Sequence, residues 1–242
     1  MTQVSVIIPV FDAERTLARA LDSVLAQEHR PLEIVIVDDG SSDASPAIAA
    51  DYAQRHPDLV RVLRQDNAGP ARARNRGIAE AKGDLLAFND ADDVWLPGKL
   101  AAQVAIMAAE PDVDYTICAF KNVADDGFEL AAWAVRKEGP DALPGFVFQA
   151  MLARRRAFDR IGVLDEAMRW AEDTDWFLRA HDLGLRLHKV DDIMVLRHIH
   201  DRNLSGRVAD SQRMLVRAVY MSHQRRKKRL AEGGPSGGGA AS

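Results

Sequence analysis

Short apolar segments alternate with amphipathic segments over the first 110 residues of this chain, and this alternation is the strongest constraint on its fold. The apolar segments are rich in β-branched residues and predict buried strands at residues 4–10, 34–37, 60–63 and 85–88. Helices are predicted between and after these strands, at residues 14–27, 43–55, 70–82 and 97–109. Strands that are apolar on both faces are typical of a parallel sheet covered by helices on both sides. We therefore expect an α/β fold, a three-layer sandwich.

The second half of the chain departs from this regular pattern. The predicted elements are a strand at 115–123, a hairpin turn at 124–127 leading into 128–135, a strand at 146–152, a short helix at 154–161, a helix at 172–183, a strand at 190–198 and a long helix at 209–230. These additions make the expected sheet mixed, although mostly parallel. We expect one domain at 1–205, a C-terminal basic helix at 206–232 and a disordered glycine- and serine-rich tail at 233–242.

Composition argues against several classes of protein. The formal net charge of −4 provides no general attraction for nucleic acid. The single cysteine, Cys118, forms neither an internal disulfide nor a zinc site, and we interpret it as a small buried residue. The N-terminus does not resemble a signal peptide, and no apolar run approaches the roughly 20 residues that span a bilayer. We therefore expect a cytoplasmic protein.

Two of the predicted strands end in clusters of carboxylates. The second runs into "VDDGSSD", which includes Asp38 and Asp39, and the fourth runs into "NDADD", which includes Asp90, Asp92 and Asp93. Ligands of open parallel sheets bind beyond the carboxyl ends of the strands, where both clusters fall. Converging carboxylates can hold Mg²⁺ or Mn²⁺, or accept hydrogen bonds from a base or a sugar. The alternative is that these aspartates only form turns and cap the next helix.

The chain resembles a family 2 (GT-A fold) inverting glycosyltransferase in four segments that follow the order and spacing of that family. They are "VSVIIPVFDAERTLARALDSVLAQ", "EIVIVDDGSSDAS", "NAGPARARNRGIAEAKGDLLAFNDADD" and "GVLDEAMRWAEDTDWFLRA". The resemblance covers residues 4–205. It implies a Rossmann-like GT-A domain with a nucleotide-sugar-binding half at 1–110 and an acceptor-binding half at 111–205. It also implies transfer of a monosaccharide, of the hexosyl type, from a nucleoside diphosphate sugar to a hydroxyl, with Mn²⁺ or Mg²⁺.

The resemblance assigns the donor site residue by residue. The nucleotide-sugar-binding residues that it implies are Pro9, Phe11, Glu14, Asp38, Asp39, Asn67, Gly69, Arg74, Asn75, Asp90 and Asp92. Asp39 is similar to the aspartate that hydrogen-bonds the base, with Asp38 as its neighbour. An aspartate paired with a base N–H suits uracil, so we expect a UDP-sugar, while dTDP and GDP stay open.

The resemblance also implies a metal site. Its ligands are Asp90, Asp92 and Asp93, with Asp92 and Asp93 competing for the direct contact. His200, in the segment "RHIHDRNLSGR", could approach the metal or the diphosphate, and Arg197 or Arg202 could neutralise the diphosphate. The alternative is a strand end with ordinary turn residues.

Glu172 and Asp173 look like the acidic pair that the family carries at the start of a late helix. An inverting transfer needs a base that removes the proton of the acceptor hydroxyl as it attacks the anomeric carbon. Asp173 matches the position usually assigned that role. A helix N-terminus holds the pKa of such a carboxylate down, whereas burial against Trp170 or Trp176 would raise it. The alternative is that both acids only complement the helix dipole.

Several other residues carry weaker signals. The three arginines at 154–156 are interpreted as a solvated helix start or as a contact to an acceptor phosphate. Trp133 and Trp170 could stack on a sugar ring or pack in the core, whereas Trp176 lies on an apolar helical stripe and is expected in the core. No motif identifies the acceptor, which could be a glycan, a lipid-linked molecule or a peptide.

The segment "HQRRKKRL" gives the last helix a basic cluster at residues 225–229. Such a cluster could place the protein at the inner face of an anionic membrane, which would suit a lipid-linked acceptor. The alternative is a solvated helix end whose cations complement the helix C-terminus.

Two rival functions fit parts of the pattern. A sugar nucleotidyltransferase shares the sheet and the metal carboxylates, but it normally has a glycine-rich loop where this chain has "PVFDAERT". A catalytically silent nucleotide-sugar-binding module has no use for the base at Asp173. Release of pyrophosphate would identify the first rival, and donor binding without donor consumption would identify the second.

Overall fold

A computed structural model of the chain describes residues 2–30, 32–125, 128, 143–168, 171–200 and 208–231. The strands are β1 (Val4–Val10), β2 (Leu32–Asp38), β3 (Val60–Arg64), β4 (Leu85–Phe88), β5 (Val94–Trp95), β6 (Tyr115–Ala124), β7 (Met151–Arg154) and β8 (Leu187–Ile199). The helices are α1 (Leu17–Leu25), α2 (Ser45–Arg55), α3 (Pro70–Glu80), α4 (Lys99–Ala109), α5 (Arg155–Ile161), α6 (Glu172–Asp182) and α7 (Val208–Ala231), with a 3-10 turn at Phe148–Ala150.

The described strands form one mixed sheet in the order β3-β2-β1-β4-β7-β6-β8-β5. β1 pairs in parallel with β2 and β4, β2 with β3, and β6 with β8. β7 is antiparallel to both β4 and β6, and β5 is antiparallel to β8. Six strands therefore share one direction, and their carboxyl ends lie along one edge of the sheet. The predicted α/β fold with a mixed, mostly parallel sheet is confirmed.

Two apolar cores, one on each face of the sheet, explain the continuous apolar strands. In β1, Val4, Val6, Ile8 and Val10 point into one core, where they meet residues of α1, α2 and α4. Ile7 points the other way and meets residues of α3, α5 and α6. Alternate side chains of a strand face opposite sides, and full burial of each aliphatic side chain stabilises the fold by about 1.5–3 kcal/mol.

Three details of the predicted elements differ in the structure. The predicted strand at 146–152 is instead the 3-10 turn followed by β7. The two-residue strand β5 is absent from the sequence prediction because it exists only through its pairing with β8. The helix predicted at 70–82 is shorter, because α3 stops at Glu80. Gly83, after this helix, lies against β1, where an added Cβ would sit 2.7 Å from the backbone nitrogen of Ser5.

The three arginines at 154–156 stand where α5 begins, as expected. Arg154 and Arg155 are partly buried, so the solvated helix start describes only the exposed Arg156, and a contact to an acceptor phosphate stays a prediction. Their guanidinium groups donate to the backbone oxygens of Met107, Val113, Gly83, Ala81, Ile78 and Pro111 and to the carboxylate of Asp114. They fasten the junction of β7 and α5 to the segments before β4 and β6. Burial of Cys118 and Trp176 in the core is confirmed.

The predicted hairpin after residue 124 and the tail at 233–242 lie largely or wholly outside the described residues, as do Trp133, Trp170 and Arg202. Among the helices that the structure describes, none has both the length and the apolar character needed to cross a bilayer.

Candidate active site

Three carboxylates converge where β4 ends. Asp90, Asp92 and Asp93 each offer an oxygen within 4.8 Å of the others. The chain turns at this point, because the backbone nitrogen of Asp93 donates to the backbone oxygen of Asp90 at 3.2 Å. The side chains of Asp90 and Asp92 are partly exposed, whereas Asp93 is buried.

Asp93 differs from its two neighbours in how its oxygens are used. Oδ2 accepts a hydrogen bond from Nε2 of Gln149 at 2.7 Å, and Oδ1 accepts one from the backbone nitrogen of His198 at 2.9 Å. Burial, together with the charges of Asp92 and Asp90, raises the pKa of Asp93. Asp93 therefore anchors the acidic turn to β8 and to the 3-10 turn, while Asp92 is better placed for a direct metal contact.

β8 brings two basic residues to the same edge. Nε2 of His200 lies 3.1 Å from Oδ2 of Asp92. The positive charge of Arg197 lowers the pKa of Asp93 and of Asp173, although burial outweighs it at both carboxyls. A histidine beside the acidic turn extends the possible metal ligands from three carboxylates to an imidazole.

Arg74 connects the acidic turn with the acidic pair at the start of α6. It is buried in α3, and its guanidinium donates to Oδ1 of Asp90 at 2.5 Å and to Oε1 of Glu172 at 2.8 Å. The same group lies 5.5 Å from the centre of the Phe148 ring. Burial alone would lower the pKa of Arg74, but the charges of Asp90 and Glu172 outweigh it and raise this pKa. The sequence motifs assign Arg74 to the nucleotide pocket but give no sign of this bridge to Glu172, which spans 98 residues of sequence.

The acidic pair occupies the first turn of α6. Glu172 is buried, and this burial, reinforced by the charge of Asp173, raises its pKa to about 7 despite the attraction of Arg74. Burial also raises the pKa of Asp173, against a hydrogen bond of 2.6 Å from the backbone nitrogen of Thr174 to its Oδ1. A carboxylate with a raised pKa is a better proton acceptor near neutral pH than an exposed one. Burial is the cause that the sequence analysis expected. Trp176 lies in the aromatic core, and Trp170 lies outside the described residues.

The strand-end carboxylates of β2 are buried and hold the loop that precedes α3. Asp39 accepts hydrogen bonds from Nε2 of Gln65 at 2.8 Å and from the backbone nitrogens of Ala68 at 3.0 Å and Gly69 at 2.8 Å. Each carboxylate oxygen has two lone pairs, so Asp39 keeps capacity for a further donor such as a base N–H. Asp38 accepts from the backbone nitrogen of Ser41 at 3.0 Å and pairs with Arg64.

A glycine allows these two loops to meet. Gly40 has a φ of +80°, and a Cβ at that position would lie 2.9 Å from the backbone nitrogen of Asn67. Asn67 itself is exposed. The β2–α2 turn and the loop before α3 can therefore touch only because residue 40 has no side chain.

The remaining predicted donor residues have mixed surroundings. Phe11 follows β1 and is 52% exposed, while Pro9 is partly buried within β1. Oε2 of Glu14 accepts from the backbone nitrogen of Ala44 at 3.2 Å. The amide of Asn75 is used by the loop before α6, since it donates to and accepts from the backbone of Leu164 at 2.9 Å in each case.

A supporting network behind the acidic turn escaped the sequence analysis. Arg19 donates to the backbone oxygen of Asp92 at 3.2 Å and also pairs with Asp125. Nδ1 of His198 lies 2.7 Å from the same Asp125 carboxylate. Burial would raise the pKa of Asp125, but hydrogen bonds from His198 and Arg19 lower it overall. These residues come from α1, the end of β6 and β8, and no local pattern connects them.

Comparison with known proteins places the sequence among glycosyltransferases. The model of the family described as Glycosyl transferase family 2 matches residues 5–162. The chain is 31% identical over 204 residues to the uncharacterized glycosyltransferase EpsJ of Bacillus subtilis, covering 78% of this chain and 59% of EpsJ. It is 36% identical over 157 residues to the uncharacterized glycosyltransferase YibD of Escherichia coli, covering 63% of this chain and 45% of YibD. The chain thus spans about half the length of these curated relatives.

Solved structures share the fold. S. aureus TarS 1-349 in complex with UDP-GlcNAc superposes with a TM-score of 0.74 at 20% identity, covering 92% of this chain and 66% of that one. The mannosyltransferase PcManGT from Pyrobaculum calidifontis, in complex with GDP-Man and Mn²⁺, superposes with a TM-score of 0.73 at 20% identity, covering 92% of this chain and 64% of that one.

Proposed function

Because the chain belongs to glycosyl transferase family 2, we propose that it transfers a monosaccharide from a nucleoside diphosphate sugar to an acceptor hydroxyl, with inversion and with a divalent metal. The observation that carries the proposal is the buried Arg74, which joins the acidic turn at Asp90 to the acidic pair at Glu172. A module that only binds a nucleotide sugar would need the acidic turn alone, to hold a metal at the donor diphosphate. A transferase also needs the acidic pair of α6, to accept the proton of the acceptor.

The acidic turn fits a divalent cation. Asp90 and Asp92, with Asp93 behind them, offer hard oxygen ligands, and His200 adds an imidazole beside Asp92. Such a set suits Mn²⁺ or Mg²⁺. When bound, the ion would neutralise charge that develops on the leaving diphosphate. The solved structure of PcManGT is a complex with GDP-Man and Mn²⁺, which supports this choice of cofactor by analogy of fold.

Asp173 is proposed as the general base. It would accept the proton of the acceptor hydroxyl while the hydroxyl oxygen attacks the anomeric carbon from the face opposite the diphosphate. The bond from the anomeric carbon to the diphosphate oxygen then breaks, and the nucleoside diphosphate leaves. Arg74 would hold the buried Glu172 in place next to this base.

The donor is proposed to be a UDP-sugar bound along the ends of β1, β2 and β4. Asp39 would accept the base N–H, with Asp38, Pro9, Phe11 and Glu14 around the nucleoside. Solved relatives of the fold hold UDP-GlcNAc or GDP-Man, so dTDP- and GDP-sugars belong in the test. We keep residues 1–110 as the donor half and 111–205 as the acceptor half, and the acceptor as a glycan, a lipid-linked molecule or a peptide.

Donor binding and slow donor hydrolysis across UDP-, GDP- and dTDP-sugars test the proposal directly. Each should be measured with Mn²⁺, with Mg²⁺ and with a chelator. Metal-dependent binding of one donor, with release of the nucleoside diphosphate, is the expected result and names the sugar. Release of pyrophosphate from a sugar phosphate and a nucleoside triphosphate would indicate the nucleotidyltransferase instead. No binding by folded protein would overturn the proposal.

The base assignment has its own test once a donor and an acceptor are known. Asp173→Asn should leave donor affinity nearly unchanged and slow transfer by a factor on the order of 10² or more. Asp159→Asn makes the same change at an exposed position of α5 and serves as the control. Transfer by Asp173→Asn at the rate of the control would mean that the base lies elsewhere.

A further inference from the structure

The outer face of α7 carries a stripe of exposed apolar side chains, Leu215, Val216, Val219 and Tyr220, here called the α7 stripe. Their exposed fractions are 46%, 69%, 52% and 61%. The spacing i, i+1, i+4, i+5 puts them on one face of the helix. They are four of the eight large hydrophobic residues that are exposed in the described part of the chain. Their clustering on one helix therefore calls for a partner, since scattered apolar residues need none.

The opposite face of α7 already has its partner. Ala218 and Met214 pack with Met168, Ala171 and Leu178. Oγ of Ser222 donates to Asp182 of α6 at 2.9 Å. Because the inner face is satisfied by the domain, the α7 stripe is not the side by which the helix attaches to the fold.

Cations follow the α7 stripe along the same helix. Leu215, Val219 and Arg226 stand at i, i+4 and i+11, and 11 residues make almost exactly three helical turns, so the three side chains lie on one line. Val216 and Lys227 are likewise 11 residues apart, so the exposed Lys227 continues the other side of the stripe. Lys228, on a neighbouring face of the helix, is also exposed. The stripe thus runs into the basic cluster at 225–229 instead of ending apart from it.

A cavity of about 360 Å³ lies beside this basic end, between α5, α6 and α7. Its lining residues are Ile161, Arg179, Asp182, Leu183, Arg225, Arg226 and Lys228. Arg225 and Arg226 pair with Asp182, yet Nη2 of Arg225 is buried without a hydrogen-bond partner. A cavity with this lining has a cationic wall and an apolar wall, which suits a phosphate group attached to a hydrocarbon.

The net charge of α7 favours a lipid surface over a second copy of the chain as the partner of the α7 stripe. Residues 208–231 contain seven arginines and lysines and one aspartate, a net charge of +6 in a chain whose total is −4. Two copies meeting through their α7 faces would bring like charges together. An anionic lipid surface attracts such a helix by about 1 kcal/mol for each lysine or arginine near the headgroups. Tyrosine and aliphatic side chains are suited to the adjoining interfacial layer.

We propose that the α7 stripe docks on an anionic phospholipid surface, with the stripe in the interfacial layer and the basic end of α7 on lipid phosphates. The contact is peripheral, made by the face of one helix. It needs neither donor nor acceptor, so it goes beyond the transferase reaction and stands or falls independently of it. It would hold the domain at a surface where an acceptor attached to lipid is concentrated.

Sedimentation with vesicles tests the proposal. The full chain should bind vesicles of equal parts phosphatidylglycerol and phosphatidylcholine and should not bind pure phosphatidylcholine. The double variant Val216→Ser/Tyr220→Ser and the double variant Lys227→Ser/Lys228→Ser should each weaken binding by about tenfold or more. High salt should weaken the wild type in the same way, because exposed charges are screened.

Matched controls change the same residue types elsewhere. Val163→Ser removes an exposed apolar side chain from the α5–α6 loop, and Arg186→Ser removes an exposed cation before β8; both should bind vesicles like the wild type. Circular dichroism should show the same fold for every variant, because all substituted positions are exposed. Absence of binding to the anionic vesicles, or undiminished binding by both α7 variants, would overturn the proposal. So would a dimer in solution that the Val216→Ser/Tyr220→Ser variant dissociates.

Discussion

The buried carboxylate of Glu33, at the amino ends of the parallel strands, is fully matched by donors, whereas the buried acids at the carboxyl ends outnumber their cationic partners. At the amino ends, Glu33 accepts from Oγ of Ser5 at 2.5 Å, from the backbone nitrogen of Lys82 at 2.9 Å and from Arg61 at 3.2 Å. The backbone nitrogen of Gly83 then donates to the same Ser5 hydroxyl at 2.8 Å. Every member of this group has a partner, so the group fixes strand ends to one another.

The carboxyl ends carry an excess of negative charge. Five acids, Asp90, Asp92, Asp93, Glu172 and Asp173, surround one buried arginine, Arg74, with Arg197 and His200 at the margin. Burial of like charges costs stability, and the cost appears as raised pKa values at Asp93, Glu172 and Asp173. The contrast indicates that buried charge is compensated at one edge of the sheet and left in excess at the other. Such an excess is what the proposed cation binding and the proposed general base require.

Asp92→Ala removes a carboxylate from the acidic turn at the carboxyl ends of the strands, and we expect it to have the largest effect. Losing the central ligand should abolish metal-dependent donor binding and lower transfer by a factor on the order of 10³, because metal stabilisation of the leaving group amounts to several kcal/mol. The melting temperature of the metal-free protein should not fall, because a repelling charge is removed. Donor titration with Mn²⁺ and a thermal melt measure the two effects. Asp112→Ala, at an exposed aspartate, is the control, and equal donor binding by the two variants would refute the metal assignment.

Glu33→Ala tests the opposite edge. It should lower the free energy of unfolding by about 3 kcal/mol, because the buried Ser5 hydroxyl and the Lys82 backbone nitrogen lose their acceptor. The rate of transfer at temperatures below the transition should not change. Urea unfolding and an activity assay measure the two quantities. Glu80→Ala removes the more exposed acid that also pairs with Arg61, and it should leave the free energy of unfolding nearly unchanged. An equal loss of unfolding free energy in both variants would contradict the stabilising role of the buried hydrogen bonds.

Glu172 makes the acidic edge sensitive to pH. Its pKa is about 7 in the folded chain against an ordinary value of 4.5, so below about pH 4.5 the folded state carries no penalty from this acid. As pH rises from about 4.5 to about 7, the unfolded state ionises first and metal-free stability falls, by roughly 2 kcal/mol after allowance for relaxation of the site. Glu172→Gln should flatten this part of the profile. A profile of urea midpoints against pH that is identical in the two proteins would contradict the assignment.

Arg61→Met should have the smallest effect. It separates the contribution of the ion pair from that of the buried hydrogen bonds of Glu33. Arg61 is partly exposed and bridges Glu33 and Glu80 at the surface. Screened pairs of this kind contribute about 1 kcal/mol or less, so most of the loss in Glu33→Ala should come from the buried hydrogen bonds. A loss in Arg61→Met as large as that in Glu33→Ala would assign the stability to the ion pair instead.

The sequence was sufficient for features that depend on neighbouring residues. The end of β4 and the acidic turn after it were predicted because "LLAFNDADD" contains both the apolar strand and its carboxylates. The helix that begins at Glu172 was predicted from its own periodicity in the same way.

The rest depends on contacts between distant segments. Arg74 stands in an alanine- and arginine-rich helix, where nothing local distinguishes it from Arg72 or Arg76. Its role follows only from the position of Glu172, which is supplied by α6. Gln149 reaches Asp93 across 56 residues, and the arginines at 154–156 reach carbonyls 41 to 77 residues away. Periodicity carries no information about such pairs, because each residue looks like an ordinary polar residue of its own element.

The central position of β4 has a consequence for the growing chain on the ribosome. β1 can pair with β4 as soon as residues 85–88 have been made, but the other side of β4 waits for β7, which begins at Met151, 63 residues after Phe88. At a synthesis rate of about 5–20 residues per second, this apolar strand keeps an open edge for roughly 3–12 seconds. An open, uncharged edge is a template for pairing with other chains. The segment that supplies β7 therefore covers the open edge of β4. We expect nascent chains that are halted after β4 and before β7 to be the ones that require a chaperone.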